Sequence, residues 1–156
     1  MIGVDGPAGS GKTTLAGAVA DLLHCPVLHM DDLFPGWDGL AQAPRLLHDQ
    51  VLLPVFKGRD GSYRRWDWVQ SRWAETVRVP WRPVLLVEGC GSTVRPAGDL
   101  VELRVWVEAD EAVRRRRGIE RDGEAFAPHW ERWAAQERAI YAADGTRQRA
   151  DLIITT

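Results

Sequence analysis

No apolar run in the sequence approaches the length of a membrane span, so no membrane-crossing helix is expected. Only two cysteines are present, Cys25 and Cys90, far apart and in no CxxC pattern. That argues against a zinc site and a disulfide scaffold and favours reduced thiols in a cytosolic protein. Neither sign of charge dominates: the formal net charge is −2, so neither a nucleic-acid nor a membrane partner is expected. There is no internal repeat and no low-complexity tract. The first expected strand opens at Ile2 with no secretory signal before it, which points to a cytoplasmic location. The oligomeric state is left open, a homo-oligomer included. The 156 residues fit one domain, 1–156, and the 45% apolar content suffices for one core. Tryptophan is abundant, with eight copies, and most are expected in core or cleft walls.

Hydropathy patterning alternates strands with helices. Residues 1–5 read as a strand that ends in a glycine-rich turn. Leu15, Val19, Leu22 and Leu23 then share one face of a helix over 12–23. A second short strand around Val27, Leu28 and Met30 stops at Asp31-Asp32. Residues 39–53 look helical, with Leu40, Leu47 and Val51 on one side. The stretch from Lys57 to Trp68 reads as an irregular excursion or hairpin, and 69–77 is compatible with either helix or strand. Val84-Leu85-Leu86-Val87 has the continuous apolar character of a strand buried on both faces of a parallel sheet. A strand over 103–107, helices over 110–120 and 128–143, and a last strand at 152–154 complete an α/β pattern. In such folds ligands bind beyond the carboxyl ends of the strands, where Gly6–Thr13, Asp31-Asp32 and Glu88 fall.

Gly6-Pro7-Ala8-Gly9-Ser10-Gly11-Lys12-Thr13 matches GxxxxGK[ST] in full, and Thr14 follows it. Glycines let the backbone curl so that successive N–H groups point at phosphate oxygens, and the following helix adds the positive end of its dipole. Lys12 is suited to the β- and γ-phosphates and the Thr13 hydroxyl to Mg²⁺. Asp31 and Asp32 are candidates to orient or deprotonate an attacking hydroxyl, against the plainer role of a turn or cap. Glu88 is a candidate to hold a magnesium-bound water or a substrate hydroxyl. Arg114 to Arg117 are consecutive, so they point all round a helix and most are expected in solvent, with one or two covering phosphates. Tyr63, Trp66, Asp67 and Trp68 could equally stack a substrate ring or roof the core. His29 reads as buried structure.

Together with His29-Met30-Asp31-Asp32-Leu33-Phe34 and Leu86-Val87-Glu88-Gly89, the phosphate loop resembles the uridine kinase-like P-loop kinases. That group includes uridine-cytidine and nicotinamide riboside kinases. The resemblance runs from residue 1 to about 155. It implies a P-loop kinase fold: a parallel five-stranded sheet, helices on both faces and a short arginine-bearing lid. It also implies ATP and Mg²⁺, a catalytic aspartate at Asp31 (Asp32 as alternative), the family's Glu at Glu88, and a lid arginine at Arg121 or Arg117. The expected activity is transfer of the γ-phosphate of ATP to a hydroxyl of a nucleoside-like or other small alcohol, with Phe34, Tyr63 and Asp67 among the acceptor contacts. Rival readings are a nucleotide monophosphate kinase, with Arg64, Arg65 and Arg72 forming a basic pocket, and an ATP-binding regulatory protein.

Overall fold

The computed structural model describes residues 1–156. In chain order its elements are β1 (Ile2–Asp5), α1 (Lys12–Leu23), β2 (Val27–His29), α2 (Ala43–Leu47), α3 (Leu53–Phe56), β3 (Gly61–Asp67), β4 (Arg72–Val79), β5 (Leu86–Glu88), β6 (Leu103–Glu108), α4 (Glu111–Asp122), α5 (Trp130–Asp144) and β7 (Leu152–Thr155). Helices α2 and α3 are joined by a π-helical stretch, His48–Leu52. Pro54 explains it: proline donates no N–H and collides with the carbonyl four residues earlier, and a wider turn accommodates both faults.

Five strands form one parallel sheet in the order β2-β5-β1-β6-β7. Strand alternation sends Leu86 to one face and Val87 to the other. Leu86 joins Val4, Val105, Val107 and Ala16 of α1 in the smaller apolar cluster. Val87 joins the larger cluster with Leu28, Leu47, Val51, Trp130 and Trp133. Helices therefore cover both faces, as expected for a parallel sheet. Strands β3 and β4 form a separate antiparallel hairpin, so 69–77 is largely strand.

The expected apolar face of α1 holds for Leu15 and Val19, which pack against the smaller cluster, and fails for Leu22 and Leu23, which are exposed. Its buried residues are Lys12, Ala16 and Ala20, and Leu22 is 81% exposed. Because α1 springs directly from the loop, Lys12 has to face the loop's interior, which fixes the helix rotation. Ala16 and Ala20 follow on the same face at intervals of four, and their small side chains let the helix lie close to the sheet.

Candidate functional site

The sheet order sets the carboxyl ends of β2, β5 and β1 side by side, with Glu88 in register with both His29 and Val4. They open on a cavity of about 550 Å³. Ala8, Gly9, Lys12 and Thr13 form one wall, and Asp31, Glu88 and His29 line the strand ends. Arg121 and Asp122 stand at the end of α4. Phe34, Trp37, Trp68, Phe126 and Trp133 supply aromatic walls.

Glycine is required in the loop for two reasons. Gly6, Gly9 and Gly11 have φ of 140°, 75° and 94°, a region side chains rarely adopt. A Cβ on Gly9 would lie 2.1 Å from the Arg114 carbonyl oxygen, and one on Gly6 would lie 2.0 Å from that of Val107. Just before the loop, Asp5 is fully buried. Its carboxylate accepts hydrogen bonds from the amides of Gly6, Gly91 and Thr93 and from the hydroxyls of Thr93 and Tyr141, at 2.7–2.9 Å. Burial still pushes the Asp5 carboxyl above its ordinary range against these bonds.

Lys12 Nζ donates to the Pro7 carbonyl at 2.9 Å and lies 3.6 Å from Cys90 Sγ. Burial alone would lower its pKa, but the acidic groups around it, Cys90, Glu137, Glu88 and Asp5, hold it above the ordinary value. Thr13 Oγ1 donates to Glu88 Oε2 at 3.2 Å, and Glu88 Oε1 lies 2.6 Å from His29 Nδ1. A hydroxyl beside a buried carboxylate at the mouth of a phosphate loop is the donor set Mg²⁺ takes in such sites, where phosphate oxygens and waters complete the shell. Asp31 lines the cavity and its side chain remains accessible from it. Enclosure by the surrounding protein, then the Glu88 charge, raise its pKa, while Arg121 and Lys12 act in the opposite direction.

The hairpin grips this strand end. Trp68 Nε1 donates to the Asp31 carbonyl at 2.9 Å, and the Tyr63 hydroxyl donates to Asp32 Oδ2 at 2.8 Å. Trp37 stacks on His129 at 4.4 Å between ring centroids and on Phe126 at 5.6 Å, and it meets Trp68 at 4.7 Å.

Several expected site residues lie elsewhere. Tyr63 is 5% exposed and does not line the cavity, because strand alternation turns it, like Gly61, toward the core. Asp67 is also off the cavity, at the hairpin turn, where it accepts from the Gln70 amide at 2.8 Å. Asp32 supports Tyr63 and is not a lining residue, and Thr14 is exposed on the outer face of α1. Arg117 points to the far side of the loop and donates to Thr156 Oγ1 at 2.8 Å. Of the two arginines expected in a lid, Arg121 reaches the cavity, paired bidentately with Asp122 at 2.6–2.8 Å. Gly6, Ser10 and Gly11 contribute loop shape without lining the cavity; Ser10 is fully buried. Contrary to the buried reading, the His29 side chain is about half exposed at the cavity. Period-two alternation after buried Leu28 was the available signal.

Tryptophans are expected in core or cleft walls as a class, but no sequence signal singles out Trp37 or Trp133, nor Phe126, nor Glu137, which lies behind the loop. The last three come from the α4–α5 connection and α5. A one-dimensional pattern marks such residues only as apolar or helical.

The fold is that of the P-loop kinases. Among solved structures the chain is similar to a possible uridine kinase from Bacillus stearothermophilus, with 19% identity over 98% of this chain and 86% of that one, at a TM-score of 0.70. It is also similar to a protein assigned as a fructose transport system kinase from Silicibacter, with 22% identity over 97% and 87%, at a TM-score of 0.63. Shikimate kinase from Bacteroides thetaiotaomicron follows with 19% identity over 99% and 84%, at a TM-score of 0.52. At these identities the likeness concerns the fold. No family model matches the chain, and no curated protein matches its sequence.

Proposed function

We propose that this chain is a small-molecule kinase of the uridine kinase-like type. It transfers the γ-phosphate of ATP to a hydroxyl of an uncharged, ring-bearing alcohol, a nucleoside being the first choice. One observation carries the reading: the phosphate loop, Asp31 and Glu88 open on one cavity that five aromatic side chains also line. Thr13 and Glu88 would hold Mg²⁺, which supplies charge neutralisation on the phosphates. The loop amides and Lys12 hold the triphosphate. Asp31 orients the acceptor hydroxyl and receives its proton, and Arg121 exchanges Asp122 for phosphate oxygens. Five aromatic side chains exclude water and offer faces for a planar ring.

The character of the acceptor follows from what lines the cavity. Its cationic side chains are Lys12 and Arg121, both assigned to ATP, with His29 bound to Glu88. Arg64 is engaged by the carbonyls of Trp73 and Ala74, and Arg65 by Glu75. Neither lines the cavity, and nor does Arg72, which is exposed on β4. A phosphorylated acceptor would thus lack a counter-charge, which disfavours the monophosphate kinase reading.

The test is ADP release from Mg-ATP across nucleosides, nucleotides, sugars and vitamin alcohols, with wild type and Asp31→Asn. One uncharged ring-bearing class should stimulate release, and Asp31→Asn should lower kcat by about 10²–10⁴-fold while ATP binding persists. Since the Asp31 pKa is raised, the acid limb of kcat/KM should lie above the ordinary aspartate range, activity falling as the carboxylate protonates. Absence of any acceptor-stimulated release, or wild-type kcat in Asp31→Asn, would overturn the assignment.

A further inference from the structure

A buried carboxylate directly behind an anion-binding loop is unexpected on charge grounds. Glu137 of α5 is 3% exposed, and its Oε1 accepts the Ala8 amide at 2.7 Å across 129 residues of sequence. The same oxygen accepts from Trp133 Nε1 at 2.8 Å and Cys90 Sγ at 3.2 Å. On the other side of Ala8, Arg114 Nη1 of α4 donates to the Ala8 carbonyl at 3.2 Å. Arg114 is itself buried, and its guanidinium lies 3.9 Å from Glu137 Oε2. Both polar groups of residue Ala8 are therefore held, one by α4 and one by α5.

We propose that Glu137 and Arg114 are positioning residues that hold the phosphate loop in its nucleotide-binding shape before the nucleotide arrives. The proposal rests on reading the loop as an ATP site. The need for anchors follows from the sequence: with glycine at 6, 9 and 11, the free loop has more backbone freedom than most segments, and ordering it on binding would weaken affinity by the fraction of chains already in shape. Glu137 supplies the anchor without touching phosphate, because its acceptor oxygen takes an amide that points behind the loop. Its bond to Trp133, whose ring lines the acceptor side of the cavity, puts the loop and the acceptor wall on one support.

The test compares wild type, Glu137→Ala, Glu137→Gln and Arg114→Met. Calorimetry with Mg-ATP reads affinity, steady-state kinetics separate KM from kcat, and amide hydrogen exchange at Ala8 in the nucleotide-free protein reads loop order. Glu137→Ala should weaken Mg-ATP binding about tenfold, leave kcat at saturating ATP within about threefold, and speed Ala8 exchange by at least about tenfold. Glu137→Gln keeps an acceptor oxygen for the Ala8 amide and should restore most of the affinity and protection. Arg114→Met should show the affinity loss while the Ala8 amide stays partly protected. A fall in melting temperature with wild-type ATP affinity and wild-type Ala8 exchange would reduce Glu137 to a core residue and sink the proposal. If wild type itself fails to bind Mg-ATP, the kinase reading falls instead, and exchange at Ala8 alone decides whether Glu137 pins the loop. If Glu137→Ala does not fold, Glu137→Gln and Arg114→Met decide: wild-type ATP affinity in Arg114→Met overturns the proposal.

Discussion

Substituting Asp144→Asn removes one charge from a knot that reaches back to the phosphate loop. Asp144 ends α5, and its side chain is 8% exposed. Oδ1 accepts from Arg95 Nε at 2.9 Å; Oδ2 accepts from Thr146 Oγ1 at 2.6 Å and from Arg149. Arg149 also donates to the Thr93 carbonyl at 2.9 Å, and Thr93 donates to Asp5 at the mouth of the loop. Burial, the largest single influence, pushes the Asp144 pKa up. The hydrogen bonds from Thr146, Arg149 and Arg95 together outweigh it and bring the value to about 2, against an ordinary 3.8. At ~1.4 kcal/mol per pKa unit, ionisation of Asp144 contributes at most ~2.5 kcal/mol of stability at neutral pH. Arg95 is half exposed, so solvent screening trims that figure. The folded pKa is depressed, so the contribution is fully present above the unfolded value and is lost as pH falls from about 4 through about 2. Urea and thermal unfolding of both proteins between pH 7 and pH 2 provide the assay. The variant should be ~1–2 kcal/mol less stable at pH 7, a drop of about 3–8 °C in Tm, with the gap closing toward pH 2. A gap that does not change with pH would refute the charge argument and leave only hydrogen-bond geometry. No gap at pH 7 would refute the whole account.

Gly9→Ala places a Cβ 2.1 Å from the Arg114 carbonyl at a φ of 75°, and neither backbone can yield alone. Loop and α4 should separate, with a stability loss of ~1–3 kcal/mol by calorimetry and at least about tenfold weaker ATP binding. Trp37→Ala removes the ring that stacks on His129 and Phe126 at the aromatic wall proposed for the acceptor. Acceptor KM should rise about tenfold or more while the KM for ATP stays within about threefold. Equal changes in both constants would show that Trp37 does not distinguish the two halves of the cavity.

How much was legible depends on the range of the forces involved. The phosphate loop is local: eight consecutive residues set its φ values and its helix, so the motif alone located Lys12 and Thr13. Asp31 and Glu88 were legible because short apolar runs end where strands leave the core. The hairpin was half legible, since its polar and aromatic residues alternate too loosely to say which face is inward. Tyr63, expected among the substrate contacts, is core, while Trp68 of the same cluster reaches the cavity. The face of α1 is half legible: Leu15 and Val19 pack on the core as their spacing predicts, but the attachment to the loop sets the rotation, so Ala16 and Ala20 lie deepest and Leu22 and Leu23 are exposed.

By itself the sequence determined the α/β class, the phosphate loop and the two acids at strand ends, because each follows from neighbours a few residues apart. Tertiary structure alone decided that β5 lies between β2 and β1, bringing Glu88 beside Thr13 and His29. It also decided that Trp37, Phe126 and Trp133 close the cavity and that Glu137 reaches Ala8. Those contacts join residues up to 129 positions apart. They exist because burial and hydrogen-bond satisfaction are settled by which elements meet in space, and no local spacing encodes that meeting.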